Sequence, residues 1–317
     1  MRECRSFGKR SRVLKTDEVI KKYFLVYEGA ETEKIYFDAV RLLHKRIGIS
    51  PLIELVSISK SFSEENWSNP KKIVDRITQD IIESQTQVIT YTTLLNRLMD
   101  YFEEINFTSN NRGLSIYVWN KMKNVCINIL HVDLDSNVKS IHETCCLLIN
   151  ELKKEFKLNV IVDEISEIVK NSGITYSEGF DKICLIVDRD KDSFVANPEN
   201  NQYEYVKNMC KDKGYLFCIT NPNFEFWLLL HFDDVMNLDF EKLLENPKIS
   251  RTKRYSESEL CKLYPRYKKN CYDGSFFVKK VDIAIKNEKK FCEDVDGLEN
   301  KIGSNIGKLI ELMKKGE

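Results

Sequence analysis

The residues of this chain best suited to chemistry are carboxylates at the ends of apolar runs. Lys182 to Val187 is an apolar run followed by Asp188, Arg189 and Asp190, and Tyr23 to Tyr27 is another, followed by Glu28. Alternate side chains of an extended strand point the same way, so an Asp-x-Asp that continues a strand turns both carboxylates to one side. Glu28, ending a different strand, would face them across the sheet edge. A fourth acid, Glu225, stands among Phe224, Phe226 and Trp227, and a carboxylate in such surroundings needs a metal or a basic residue beside it. Oxygen donors of this kind suit magnesium, a hard ion that takes a few carboxylates and leaves its other positions to water and phosphate. Such a site can activate a water and neutralise the charge growing on an attacked phosphate.

Spacing alone leaves rivals standing. Asp133 and Asp135 form a second Asp-x-Asp after the apolar run Val125 to Leu130. His131 beside them is a candidate ligand, although a hydrogen-bonded structural histidine is the commoner role. Glu28 before Gly29 could cap the helix that follows, and an isolated Asp-x-Asp is more often solvated or capping than metal-binding.

The elements that must position these acids alternate. Tyr23 to Tyr27 reads as a buried strand, and Glu31 to Leu43 as a helix with its apolar residues at helical spacing and an acidic first turn. Leu52 to Ile58 reads as a second strand, and Pro70 begins a helix. From about Thr86 to Gly173 the pattern changes to long amphipathic helices, such as Leu94, Leu95, Leu98 and Phe102, or Ile141 to Phe156. The alternation then resumes with a strand at Lys182–Val187, a helix at Gln202–Lys213 and a strand at Tyr215–Thr220. Asn221 and Pro222 open a helix through Phe232, and helices are expected at Ser256–Tyr264, Ser275–Lys286 and Ile306–Lys314. The expected fold class is α/β, a mostly parallel sheet flanked by helices, with ligands at the C-terminal strand ends. The expected division is 1–85 and 178–317 as two parts of one core, with 86–177 a mainly helical insertion.

Composition narrows the function classes. The 317 residues suit one fold with a large elaboration. Lysine plus arginine equals aspartate plus glutamate at 49 each, so no global positive field advertises nucleic acid. Basic residues are nonetheless concentrated at Arg2 to Lys15 and at Arg251 to Lys269. The 10 cysteines are scattered with no CxxC pair, which disfavours a structural zinc site and fits a reducing cytoplasm. No apolar run approaches a membrane span, and no Walker-type phosphate loop is present.

Three ordered motifs, Tyr27 to Glu33, Val187 to Asp190 and Asn221 to Phe232, resemble the RloB family, whose fold is Toprim-like. The basic start, Tyr267-Lys268-Lys269 and Ser304 to Ile310 are similar to it as well. The resemblance implies a core in which Glu28, Asp188 and Asp190 bind magnesium, with manganese as a substitute, and it decides against Asp133 and Asp135. It matches Glu225 to the family's glutamate after Asn-Pro-x-Phe, as a further catalytic and metal residue, and offers Lys268 or Lys269 to hold a phosphate or transition-state charge. The long interval between Glu28 and Asp188 departs from the family pattern and marks 86–177 as inserted.

RloB genes sit in restriction and anti-phage loci, and relatives such as the OLD-family nucleases and the PARIS effector AriB use this core to cut nucleic acid. The implied function is a magnesium-dependent endonuclease of anti-phage defence, acting on RNA such as tRNA or on DNA and held inactive until triggered. The expected partners are the nucleic acid, a regulatory protein such as an ATPase docking on the insertion, and further copies of the chain, with no membrane. A non-catalytic Toprim-like scaffold or sensor is the alternative, and turnover of free nucleotides a third reading.

Overall fold

Four strands run parallel because their sequences are apolar on both faces and can only be satisfied between layers of helices. They are β1 (Lys21–Tyr27), β2 (Ile53–Ser59), β3 (Lys182–Asp188) and β4 (Leu216–Asn221). A fifth, β5 (Gly303–Ser304), pairs antiparallel with the end of β4. Their order across the sheet is β2-β1-β3-β4-β5. The computed structural model describes residues 1–3, 19–29, 31–65, 67, 69–109, 111–158, 160–189, 194, 196–197, 200–251 and 253–317.

The helices up to residue 176 are α1 (Thr32–Leu43), α2 (Pro70–Thr86), α3 (Tyr91–Glu104), α4 (Arg112–Asn128), α5 (Ile141–Lys153) and α6 (Val162–Asn171). Those after it are α7 (Gln202–Lys213), α8 (Phe224–Leu229), α9 (Phe240–Glu245), α10 (Tyr255–Leu263), α11 (Gly274–Val278), α12 (Val281–Glu288), α13 (Val295–Leu298) and α14 (Ile306–Lys315). The chain is thus α/β with a mostly parallel sheet, compatible with a Toprim-like fold. It forms two compact units, one of Met1–Glu3, Lys60–Asn66 and Arg76–Tyr176, the other of Cys4–Ser59, Trp67–Asp75 and Ser177–Glu317.

In the larger unit β1 leads through α1 to β2 on one side, whereas β3 leads through α7 to β4 on the other. Chain order therefore reverses between the neighbours β1 and β3, and their C-terminal ends frame the crevice where open parallel sheets bind ligands. One sheet face, with Tyr23, Leu25, Cys184, Ile186 and Cys218, packs on α1, α8 and the C-terminal helices. The smaller unit is helical, with its own core of Leu94, Leu98, Phe102, Met122, Leu148 and Val169. Within it the Arg76 guanidinium pairs with Glu64 at 2.9 Å and Asp80 at 2.8 Å. The main segment of this unit begins at Arg76, inside α2, and the unit takes in Met1–Glu3 and Lys60–Asn66 as well.

Two expected helices are interrupted. Ser275–Lys286 is α11 and α12, broken at Lys279 and Lys280, where Lys280 N donates to Phe277 O in a tight turn. The break stacks the Lys280 ammonium over Phe276 at 4.3 Å and Phe232 at 4.8 Å. It also leaves Gly274 against α1, where a Cβ would lie 2.7 Å from Ile35 O. The helix through Phe232 stops at Leu229, and Phe232 N turns back to Leu229 O.

The edge of β4 is closed by a side chain. Asn305 Oδ1 accepts from Ile219 N at 2.6 Å and its Nδ2 donates to Phe217 O at 2.9 Å, extending the ladder beyond β5. Just after it the α14 start is clasped by buried Glu288, whose Oε1 accepts from Gly307 N at 2.9 Å. A Cβ at Gly307 would lie 2.2 Å from Glu288 Oε2, so a larger residue would have to push the carboxyl aside.

Burial pushes the Glu288 carboxyl from its ordinary 4.5 up to about 8. Gly307 N–H, the Ser304 hydroxyl and Lys308 favour the charged form, and Glu293 opposes it. The folded state thus holds this proton more tightly than the unfolded chain does. The resulting stability is complete below about 4.5 and lost as pH rises to about 8. Glu288→Gln cannot ionise, so its urea midpoint is expected to gain on the wild type across that window; parallel midpoints would refute the assignment.

Candidate acidic site at the switch point

Glu28 and Asp188 end the two strands that flank the switch point. The parallel ladder continues one residue past β1, with Glu28 N donating to Ile186 O at 3.0 Å. Glu28 Oε2 in turn accepts from Asp188 N at 3.1 Å. The Glu28 carboxylate is thereby held against the backbone of Asp188, at the ends of neighbouring strands. Glu28 is buried, at 8% exposure, and it does not cap α1, whose N-cap is Glu31. Asp190 lies outside the described residues, as do Arg5, Lys9, Arg10, Arg12 and Lys15 of the basic start.

Glu225 occupies the first turn of α8, a helix whose six residues are all buried. Its partners come from the Tyr264–Asp273 loop: Tyr267 donates its hydroxyl to Glu225 Oε1 at 3.0 Å, and Lys269 Nζ lies 3.2 Å from the same oxygen. The loop is tied to the first turn of α1, just beyond Glu28. Thr32 Oγ1 donates to Lys269 O at 3.1 Å, and Tyr272 donates to Thr32 O at 2.7 Å. Burial, followed by the charge of Glu225, raises the Tyr267 phenol well above its ordinary value, so it stays a donor. Burial alone would lower the Lys269 ammonium, but the charges of Glu225, Glu257 and Asp188 outweigh it and hold the group above the ordinary lysine range.

The two candidate lysines are thereby told apart. Lys269 reaches Glu225, whereas Lys268 is exposed and its carbonyl closes a turn to Cys271 N. Glu257 on α10, buried at 8% exposure, joins the same charge cluster and was not picked out from the sequence. Burial and Glu225 raise its carboxyl, while Lys269 and Lys253 lower it.

Aromatic packing fixes α8 against α1. Tyr36 meets Phe224, Trp227 and His231 edge-on, with centroids 5.6, 6.0 and 5.5 Å away. His231 Nδ1 faces Trp227 O at 3.0 Å and its Nε2 faces the Tyr36 hydroxyl at 3.1 Å. Burial lowers its pKa to about 3, so the ring is neutral: Nδ1–H donates to Trp227 O and Nε2 accepts from Tyr36.

The rival pair is placed elsewhere. Val125 to Asn128 belongs to α4, and Asp133 and Asp135 are exposed in a turn of the helical unit, where Asp133 Oδ1 accepts from Asp135 N at 3.1 Å. His131 there is exposed, with φ 53°.

Among the described residues no three His, Cys, Asp or Glu side chains converge as a metal cage. The donor chemistry at the strand ends nevertheless fits magnesium, which binds proteins through one or two carboxylates and completes its shell with water and phosphate. Glu28 and Asp188 supply that minimum. All nine cysteines among the described residues are free thiols. No helix among them is long and apolar enough to cross a membrane.

An α/β sheet with acidic strand ends at its switch point is the class that fold and site define. The sequence model of the RloB-like protein family matches residues 99–313, and the chain belongs to that family. The match takes in Asp188, Glu225 and Lys269 and most of the helical unit, and begins after Glu28. No curated protein and no solved structure matches the chain.

Tyr267→Phe removes a buried hydrogen bond to a charged group and is expected to cost about 1.5–3 kcal/mol in urea unfolding. Lys268→Ala is expected to change it by less than about 0.5 kcal/mol. Equal effects of the two would show that the loop is not anchored through Glu225.

Proposed function

We propose that this chain is a magnesium-dependent nuclease, an effector of prokaryotic anti-phage defence held inactive until triggered. The observation that supports it most is the hydrogen bond from Asp188 N to the Glu28 carboxylate at the switch point. Glu28 and Asp188 would hold the ion, with Asp190 the next acid in the sequence. A bound magnesium ion supplies positive charge to a phosphate oxygen and acidifies a water.

The chain's own groups do the rest. Lys269 offers a compact, fully protonated charge to a phosphate. Glu225 and Tyr267 are positioning residues, since they set where that ammonium stands. The substrate is RNA, of which tRNA is one candidate, or DNA; the balanced net charge suits a short contact better than long non-specific duplex binding. A regulatory partner would dock on the helical unit, which has a core of its own.

The test is incubation of purified wild type, Asp188→Ala, Lys269→Ala and Lys268→Ala with total RNA and plasmid DNA, with magnesium or manganese, followed by sequencing of cut ends. Wild type is expected to cut one of the two, Lys269→Ala to be slower by about 100-fold or more, Asp188→Ala to be inactive and Lys268→Ala to match wild type. If nothing is cut, and Asp188→Ala still protects cells from phage, the chain is a scaffold or sensor instead.

A further inference from the structure

Glu225 carries Lys269 and Tyr267 as its partners, and Glu257 of α10 feels the charges of both Glu225 and Lys269. Both carboxylates are buried, at 2% and 8% exposure. A pair of buried carboxylates needs a cation. In hydrolytic sites built on two metals, a second ion steadies the oxygen opposite the first. Here the position is already filled from within the chain. Lys269 Nζ lies 3.2 Å from Glu225 Oε1. Its backbone is tied to α1 through Thr32 at 3.1 Å, and Tyr267 holds the same Glu225 oxygen at 3.0 Å.

We infer that Lys269 is the second cation of this site, so that the strand-end acids take a single divalent ion and the Glu225–Glu257 side takes none. The inference rests on the metal-dependent reading above and specifies its stoichiometry. An ammonium tethered in place has no association entropy to lose, whereas an incoming metal would have to displace it and shed its own water. The charges of Glu225, Glu257 and Asp188 keep the ammonium protonated, which makes that displacement harder. A single ion also agrees with the grouping of side chains, because Glu225 turns to Tyr267 and Lys269.

The test counts bound metal. Manganese alone is titrated into the full-length protein and the free aqua ion is read by electron paramagnetic resonance. Wild type is expected to bind one ion, and Asp188→Asn to lose it. Lys269→Ala is expected to bind two, the second lost again in the double variant with Glu225→Gln. The Lys269 side chain is 53% exposed, so its truncation is tolerable to folding. Lys269→Met, which keeps the aliphatic stem, serves as a second neutral variant, and circular dichroism checks both. Two ions in wild type, both lost only when acids are removed, would overturn the inference while leaving the metal reading intact. So would a single ion in both neutral variants. No ion in wild type would overturn the metal reading itself, and the inference with it.

Discussion

Glu225 is a carboxylate sunk in a helix with no exposed face, and much of the site's architecture follows from making that tolerable. An uncompensated charge in such surroundings costs several kcal/mol. The compensation comes from one phenol and one ammonium on a single loop. That loop can deliver both only if it passes over the start of α1, where Thr32 and Tyr272 fasten it. A buried acid on α8 thus dictates the course of residues 264–273 and, through it, where Lys269 presents its charge. The aromatic cluster around Tyr36 secures the other side, keeping α8 on α1 so that the anchor and the anchored loop cannot drift apart.

The strand-end acids are governed by a different constraint. Glu28 takes part in the ladder twice, through its backbone N–H to Ile186 O and through its side chain to Asp188 N. The contact of the Glu28 carboxylate with the Asp188 backbone is then a property of the β1–β3 register, and a one-residue slip would turn the side chains of either strand to the opposite sheet face. Sites carried on paired strands hold their geometry better than sites carried on loops. In this molecule the acids that would face an ion sit on strands, while the cation that would face a phosphate sits on a loop.

Much of this was legible in the sequence, for a physical reason. Parallel strands buried on both faces read as nearly continuous apolar runs, so β1 and β3 and the acids that end them stand out. Asn69 before Pro70 and Asn201 before Gln202 mark helix starts that the structure keeps, each side chain accepting from the first turn. What was not legible depended on tertiary contact. Nothing local distinguishes Lys268 from Lys269, because which of two adjacent side chains turns inward is set by Glu225, some forty residues earlier. Glu257 looks like any acid on an amphipathic helix until α10 is packed. The run Val125 to Leu130 has the composition of a strand or a helix end, and helical periodicity over the preceding turns of α4 decides it. The break between α11 and α12 falls where Phe276, Phe277 and Lys280 each find an aromatic partner, which periodicity within the segment cannot show.

The unequal anchoring of the two halves of the site has a consequence for how it could respond to its surroundings. Local opening draws on the segments with the fewest buried contacts and hydrogen bonds. The strand ends belong to the sheet and open only with it. Lys269 is held by an ion pair to Glu225, a hydrogen bond from Thr32 to its carbonyl, and the hydroxyls of Tyr267 and Tyr272, which tie down the chain on either side of it. Its side chain is half-exposed, so the ion pair itself stabilises the loop weakly. Tyr267, fully enclosed and unable to release its proton to Glu225, is the firmer of the two tethers. Displacing the loop would therefore move the positive charge away from Glu225 while Glu28 and Asp188 stay in register, leaving a buried carboxylate exposed to whatever cation arrives next. The charge balance of the site, rather than the placement of its strand-end acids, is therefore the part of this structure that depends on where one loop lies.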